Sequence, residues 1–322
     1  IMIYHEGWYY LLVTHGSCCR GADSGYNIRV GRAKKVTGPF LDNMGVDMIQ
    51  GGGKLFATSA GRVIGPGHFG LFDLGDGVQR FSLHYEADLD RGGASVLDIR
   101  PLQWKDGWPV AGENLQAGTY QLESVRTGTV LELAVEGFPV GGRPVRRGPP
   151  PGAVPPAAGN QGPPQGPPPG AGPGTGGGIF AGTGKPIPTQ DVAEVSPKWP
   201  TGNVDVRLGN YMLQAQQKWT IEPVANAGGY LGAPYFKITI AGTARTLTAI
   251  EGGELIALPA FTGSPEQLWR FDQLADGSWR ISPKAVPNTK EPFALSAVGS
   301  SFATLAKFDP KSEKQRWLLK TP

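Results

Sequence analysis

An all-β protein is what this sequence predicts, on three observations. From Ile1 to about Val110, short apolar and aromatic runs such as MIYHEGWYYLLVTHG, YNIRVGRAK, QRFSLHYEA and SVLDIRPLQW are broken about every ten residues by Gly, Asp or Pro. That rhythm fits strands joined by tight turns and not amphipathic helices. Three Gln-x-Trp triplets, Gln217 to Trp219, Gln267 to Trp269 and Gln315 to Trp317, place their tryptophans 50 and 48 residues apart, which signals internal repeats. Ahead of the first triplet, from Gly148, runs GPPPGAVPPAAGNQGPPQGPPPGAGPGTGGG, a stretch with too little apolar surface to offset the entropy of ordering and therefore expected to be disordered.

Composition narrows the class. The 322 residues suit two domains, and an apolar fraction of 39% is adequate for their cores. A net charge of +3, with basic residues scattered among acidic ones, argues against nucleic acid as a partner. No apolar run approaches about 18 residues, so no membrane-spanning helix is expected. The chain opens without Met, within a run that reads as a strand, and we read it as a fragment whose beginning has been lost.

The first region, residues 1–111, has room for about eight strands, enough for a small sandwich or two four-stranded propeller blades. After it, an aromatic strand followed by an apolar strand recurs. Phe236 precedes Leu247 by 11 residues, as Tyr120 precedes Leu131, while Leu247 and Leu295 each lie 22 residues before their tryptophans, Trp269 and Trp317. In the first repeat Leu131 lies 88 residues before Trp219. The excess of about 66 residues is read as an insert, at about 141–206, within a second domain of residues 112–322. Closing so long a loop adds only roughly 2 kcal/mol relative to a short turn.

Three repeats of this length, each closing on Gln-x-Trp, resemble the ricin-type β-trefoil. The resemblance implies that Gln217, Trp219, Gln267, Trp269, Gln315 and Trp317 are packing residues of the threefold core. Sugar binding in that family needs an acid just after the apolar Leu of each repeat. The matching positions are Glu132, Thr248 and Ser296, so only Glu132 keeps a charged acceptor and a sugar-contacting role. The trefoil is accordingly expected to be mainly structural, or to bind something other than simple galactosides.

In the first region, SCCRGADSGYNIRVGRAKKVTGPF, then GGGKL, GPGHFG and LQWKDGWPV resemble, in that order, the closing blades of endo-arabinanase-like enzymes of glycoside hydrolase family 43, which fold as five-bladed β-propellers. The resemblance implies a partial propeller, its last two blades, at residues 1–111. It places Ser17, Cys18 and Cys19 on the wall of a substrate cleft, with the adjacent cysteines either joined in a strained vicinal ring or left as two thiols. It also makes His68 a metal ligand near the propeller axis, binding calcium completed mainly by water. An inverting mechanism needs a general acid and a general base on opposite sides of the scissile bond, and the resemblance places all the reacting carboxylates upstream of Ile1. Glu6, Asp23, Asp42, Asp73, Asp88 and Asp98 match none of those motifs, so no catalytic residue is assigned and the fragment is expected to be inactive. The expected parent is a secreted, monomeric hydrolase of α-1,5-linked arabinan, a plant cell-wall polysaccharide. A non-catalytic carbohydrate-binding protein is the alternative, and a scaffold built on the Pro-rich insert ranks below both.

Overall fold

The computed structural model describes residues 1–73, 78–135, 191–230 and 233–322. Its first eight strands form two four-stranded antiparallel meanders. One contains β1 (Met2–His5), β2 (Trp8–His15), β3 (Asn27–Ala33) and β4 (Lys54–Ala57); the other contains β5 (Val63–Asp73), β6 (Gln79–Asp88), β7 (Ala94–Lys105) and β8 (Trp108–Ala111). Two tight turns explain the register of their short strands. Glu6-Gly7 has φ of 45° and 79°, and Asp106-Gly107 has φ of 52° and 71°. Paired positive φ values are what a two-residue hairpin requires, and Gly in the second place tolerates them.

Alternation decides which residues meet between the sheets. Along β6, Phe81, Leu83, Tyr85 and Ala87 are buried, while Ser82, His84 and Glu86 point to the other face. Phe81, Leu83 and Tyr85 share one core with Tyr10, Leu12, Ile28 and Val30 of the first sheet, each fully buried large side chain contributing about 1.5–3 kcal/mol. At the far end the Tyr10 hydroxyl and an Arg32 N–H both donate to the carbonyl of Gly107, at 2.7 and 3.0 Å. The opposite face of the first sheet stays apolar and open, with Tyr4 65% and Leu55 52% exposed.

The remaining strands repeat a four-strand unit three times. The first unit is β9 (Gly118–Ser124), β10 (Val130–Leu133), β11 (Val204–Gly209) and β12 (Trp219–Pro223). After the two-residue strands β13 (Gly229–Tyr230) and β14 (Ala233–Pro234) come β15 (Phe236–Ile240), β16 (Thr246–Ala249), β17 (Leu255–Leu258) and β18 (Trp269–Gln273). The third unit is β19 (Trp279–Pro283), β20 (Phe293–Val298), β21 (Phe302–Lys307) and β22 (Trp317–Lys320). Strands β9, β12, β15, β18, β19 and β22 pair in turn until β22 returns to β9. The result is a closed ring of six strands, which has no edge to protect. The second and third strands of each unit pair as hairpins outside it.

The span expected for the insert overlaps described residues at its C-terminal end. The insert is expected at about 141–206, but the described chain resumes at Asp191, whose carboxylate caps the short helix Val192–Val195. Val206 then pairs with Leu133 across β10 and β11. Within residues 191–206, 192–198 form short helical turns and 204–206 open β11, which supplies the partner that β10 needs. The expected disorder of residues 141–190 falls outside the described residues.

The two strand systems touch through a buried charge cluster. Arg80 of β6 is fully buried, with a guanidinium nitrogen 3.8 Å from the equally buried Asp272 of β18, which also pairs with Arg270 at 2.9 Å. Beside it, the Gln103 side chain donates to the carbonyl of Gln273 at 2.8 Å.

Candidate functional site

The loop between β2 and β3 folds back against β5 and β6, and glycines make the approach possible. A Cβ on Gly65 would lie 2.4 Å from Ser24 Oγ, and one on Gly67 would lie 2.8 Å from the Tyr26 ring. Ser24 Oγ in turn donates to the carbonyl of Ser17 at 3.2 Å and accepts from the backbone N–H of Tyr26. Ser17 is thus held through its main chain, with its side chain exposed.

Cys18 and Cys19 are both exposed, unbonded thiols. Cys19 has a left-handed φ of 63°, an uncommon conformation for a non-glycine residue. Glu86 holds the turn from below: one carboxylate oxygen accepts the N–H of Cys19 at 2.8 Å and the other accepts the N–H of Arg20 at 3.2 Å. The Cys19 amide is the main reason the Glu86 carboxyl sits below its usual range. Hydrogen bonds from Cys19 and then Tyr26 pull the Cys18 thiol below the ordinary cysteine range, while the same bond to Cys18 pushes the Tyr26 phenol up to about 12.

His68 lies in an irregular stretch of β5, where the pairing with β6 shifts between Gly67 and Gly70, and has φ of 52°. Such bulges re-aim a side chain out of the ladder. Its backbone N–H donates to Thr14 Oγ1 at 3.3 Å, and its Nδ1 lies 3.1 Å from Nδ1 of His84. One of these two nitrogens must carry the proton they share. Partial burial, reinforced by His68, lowers the His84 pKa. Calcium takes six to eight oxygens, and among the described residues no group of three His, Cys, Asp or Glu ligand atoms converges around His68.

The other carboxylates hold their own turns. Asp42 accepts the amides of Met44, Val46 and Gly53, and the Gly53 amide is the chief cause of its lowered pKa. Asp88 accepts the amide of Asp90, Asp98 pairs with Arg100 at 2.6 Å, and Glu6 lies 3.9 Å from His5. Asp23 ends a short 3-10 turn and Asp73 ends β5.

In the ring, each tryptophan indole donates to the carbonyl of its repeat's leucine: Trp219 to Leu131 at 2.8 Å, Trp269 to Leu247 at 3.1 Å and Trp317 to Leu295 at 2.8 Å. Each glutamine bridges its own loop. Gln217 accepts from Met212 and donates to Asn210, Gln267 accepts from Thr262 and donates to Ala260, and Gln315 accepts from Asp309 and donates to Lys307.

Glu132 is placed differently from the expectation of a sugar contact. It is only 5% exposed, and its two oxygens accept from Arg207 Nε at 2.8 Å and Gln217 Nε2 at 2.7 Å. Thr248 faces Gln267 in the same way, at 3.3 Å. Position 132 therefore points at the repeat's own glutamine, because it is the residue next to the leucine whose carbonyl receives the indole.

His84, Glu86 and Tyr26 are site residues that sequence reasoning does not single out. The signal for the first two is HYE in a strand with period two, which puts both on the face opposite the core.

Comparison with known proteins finds relatives of this region. Residues 1–109 match the model of the glycosyl hydrolases family 43. Within that stretch the chain is 36% identical over 108 residues to extracellular endo-alpha-(1->5)-L-arabinanase 1 of Bacillus subtilis (strain 168), covering 34% of this chain and 32% of that protein. It is 44% identical over 108 residues to extracellular exo-alpha-(1->5)-L-arabinofuranosidase ArbA of Cellvibrio japonicus (strain Ueda107), covering 33% and 30%. Among solved structures, Cellvibrio cellulosa alpha-L-arabinanase complexed with arabinohexaose matches with 38% identity and a TM-score of 0.33, over 34% of this chain and 35% of that one. The chain thus spans about a third of the length of the curated relatives it matches. No described helix is long and apolar enough to cross a membrane.

Proposed function

We propose that residues 1–111 are the closing two blades of a five-bladed family 43 propeller, that residues 112–322 are a ricin-type β-trefoil, and that the whole protein is a secreted glycoside hydrolase of α-1,5-linked arabinan. One observation carries the reading: across 108 residues the chain shares 36% and 44% identity with two extracellular arabinan-acting proteins. The two four-stranded meanders support the blade assignment, and the closed six-strand ring with three outer hairpins supports the trefoil.

On this reading Ser17, Cys18 and Cys19 form a cleft wall, and His68 with His84 faces the substrate side. We assign none of the described carboxylates the role of acid or base: Asp42 and Asp88 accept loop amides, Asp98 pairs with Arg100, Glu86 accepts the Cys19 amide and Glu132 accepts from Gln217. Any calcium would be held by this chain through one His68 nitrogen, with water completing its shell. Glu132 belongs to the ring core and not to a sugar site.

A polysaccharide panel tests the proposal. In affinity electrophoresis, linear arabinan should retard the chain more than galactan or xylan, and H68A should erase the preference. Equal retardation by all three would sink the arabinan assignment. Oligosaccharide release measured on the same samples tests the second half of the reading, since hydrolysis by this chain would reveal a working carboxylate pair within it.

A further inference from the structure

We infer that the Cys18-Cys19 turn and Glu86 form a binding site for a thiophilic divalent cation, zinc by its chemistry, separate from any calcium held at His68. Geometry supports this site independently of the arabinan reading. The two Sγ atoms and a Glu86 oxygen lie within 4.8 Å of one another. Zinc bonds to sulfur at about 2.3 Å and to carboxylate oxygen at about 2.0–2.2 Å, so tetrahedral ligation needs these atoms to close by only about 1 Å. Exposed thiols can make that adjustment by side-chain rotation.

The backbone explains why adjacent residues present their sulfurs together. In an extended strand neighbouring side chains point to opposite faces, but the left-handed φ of 63° at Cys19 breaks the alternation. A disulfide between neighbours must close an eight-membered ring around one peptide, whereas a metal placed between the sulfurs enlarges that ring by one atom and removes the demand for S–S contact. Glu86 is already fixed. Its oxygens accept the amides of Cys19 and Arg20 at 2.8 and 3.2 Å, and an ionised carboxylate keeps further lone pairs for an ion. The support extends outward, because Ser24, which packs against Gly65, binds the carbonyl of Ser17 just before the pair.

Two thiolates and a carboxylate are a soft donor set that favours zinc or cadmium over calcium or magnesium. On binding, each thiol gives its proton to solvent as its metal–sulfur bond forms, so affinity falls as pH is lowered. The fourth position stays open to water.

Cadmium is the probe. Titrating it into the reduced full chain should produce a thiolate-to-cadmium charge-transfer band that saturates at one equivalent, with native mass spectrometry showing one bound ion. C18S and C19S should each weaken binding at least about tenfold, E86Q should weaken it by about tenfold to a hundredfold, and excess calcium should leave the band unchanged. Far-ultraviolet circular dichroism of each variant confirms that the fold is retained. The site is refuted if no band appears, if either serine variant or E86Q binds as tightly as the parent, or if the chain as isolated lacks titratable thiols and weighs two hydrogens less.

Discussion

The two halves of this molecule solve one problem in opposite ways. Residues 112–322 close six strands into a ring whose tryptophans and glutamines are held from within, three indoles on three leucine carbonyls and three glutamine amides on their own loops. Residues 1–111 remain two open sheets, and the polar groups Cys18, Cys19, Glu86, His68 and His84 gather where a loop folds back on β5 and β6. A closed ring turns its tryptophans and glutamines inward. An open pair of sheets keeps donors, thiols and an apolar face available.

Substitutions sharpen this contrast, beginning with the largest effect. Trp269→Ala should cost about 3–5 kcal/mol, because a fully buried indole is lost together with its hydrogen bond to Leu247; urea unfolding followed by circular dichroism measures it. Asp272→Ala tests the contact between the halves. Removing the carboxylate that Arg80 and Arg270 both face should cost about 1–3 kcal/mol. If instead only the ring is destabilised and the open sheets unfold unchanged, the halves are thermodynamically independent.

Smaller effects belong to the open sheets. Gly65→Ala puts a Cβ against Ser24 at a φ of +70° and should cost about 1–3 kcal/mol, with displacement of the Cys18-Cys19 turn visible as faster thiol labelling. The smallest effect is on pH dependence. The folded pKa of His84 lies below its ordinary 6.5, so folding favours the neutral ring, and stability is lost as pH falls below 6.5 through the folded value. Glu86, also lowered, from 4.5, favours its charged form in the fold and likewise loses stability as pH falls, in a window below 4.5. His84→Gln should flatten the upper part of the acid limb and leave the lower part, whereas Trp269→Ala should shift the whole curve downward; denaturant midpoints measured across pH separate the two.

Much of the architecture is legible in the amino-acid sequence. Strand rhythm and the Gln-x-Trp spacing are local patterns, set by residues two apart or by repetition along the chain, so the all-β class and the threefold repeat follow from the sequence alone, whereas the roles expected of Ser17, Cys18, Cys19 and His68 come from a family resemblance. Contacts that depend on register are not legible there. That Glu86 lies under Cys19, that His68 meets His84, that Glu132 turns inward to Gln217 and that Arg80 finds Asp272 is decided by which strands pair and where β5 bulges. The physical reason is that a one-residue change of register moves every side chain of a strand to the other face; periodicity says that a residue alternates, and only the folded sheet says what it alternates against.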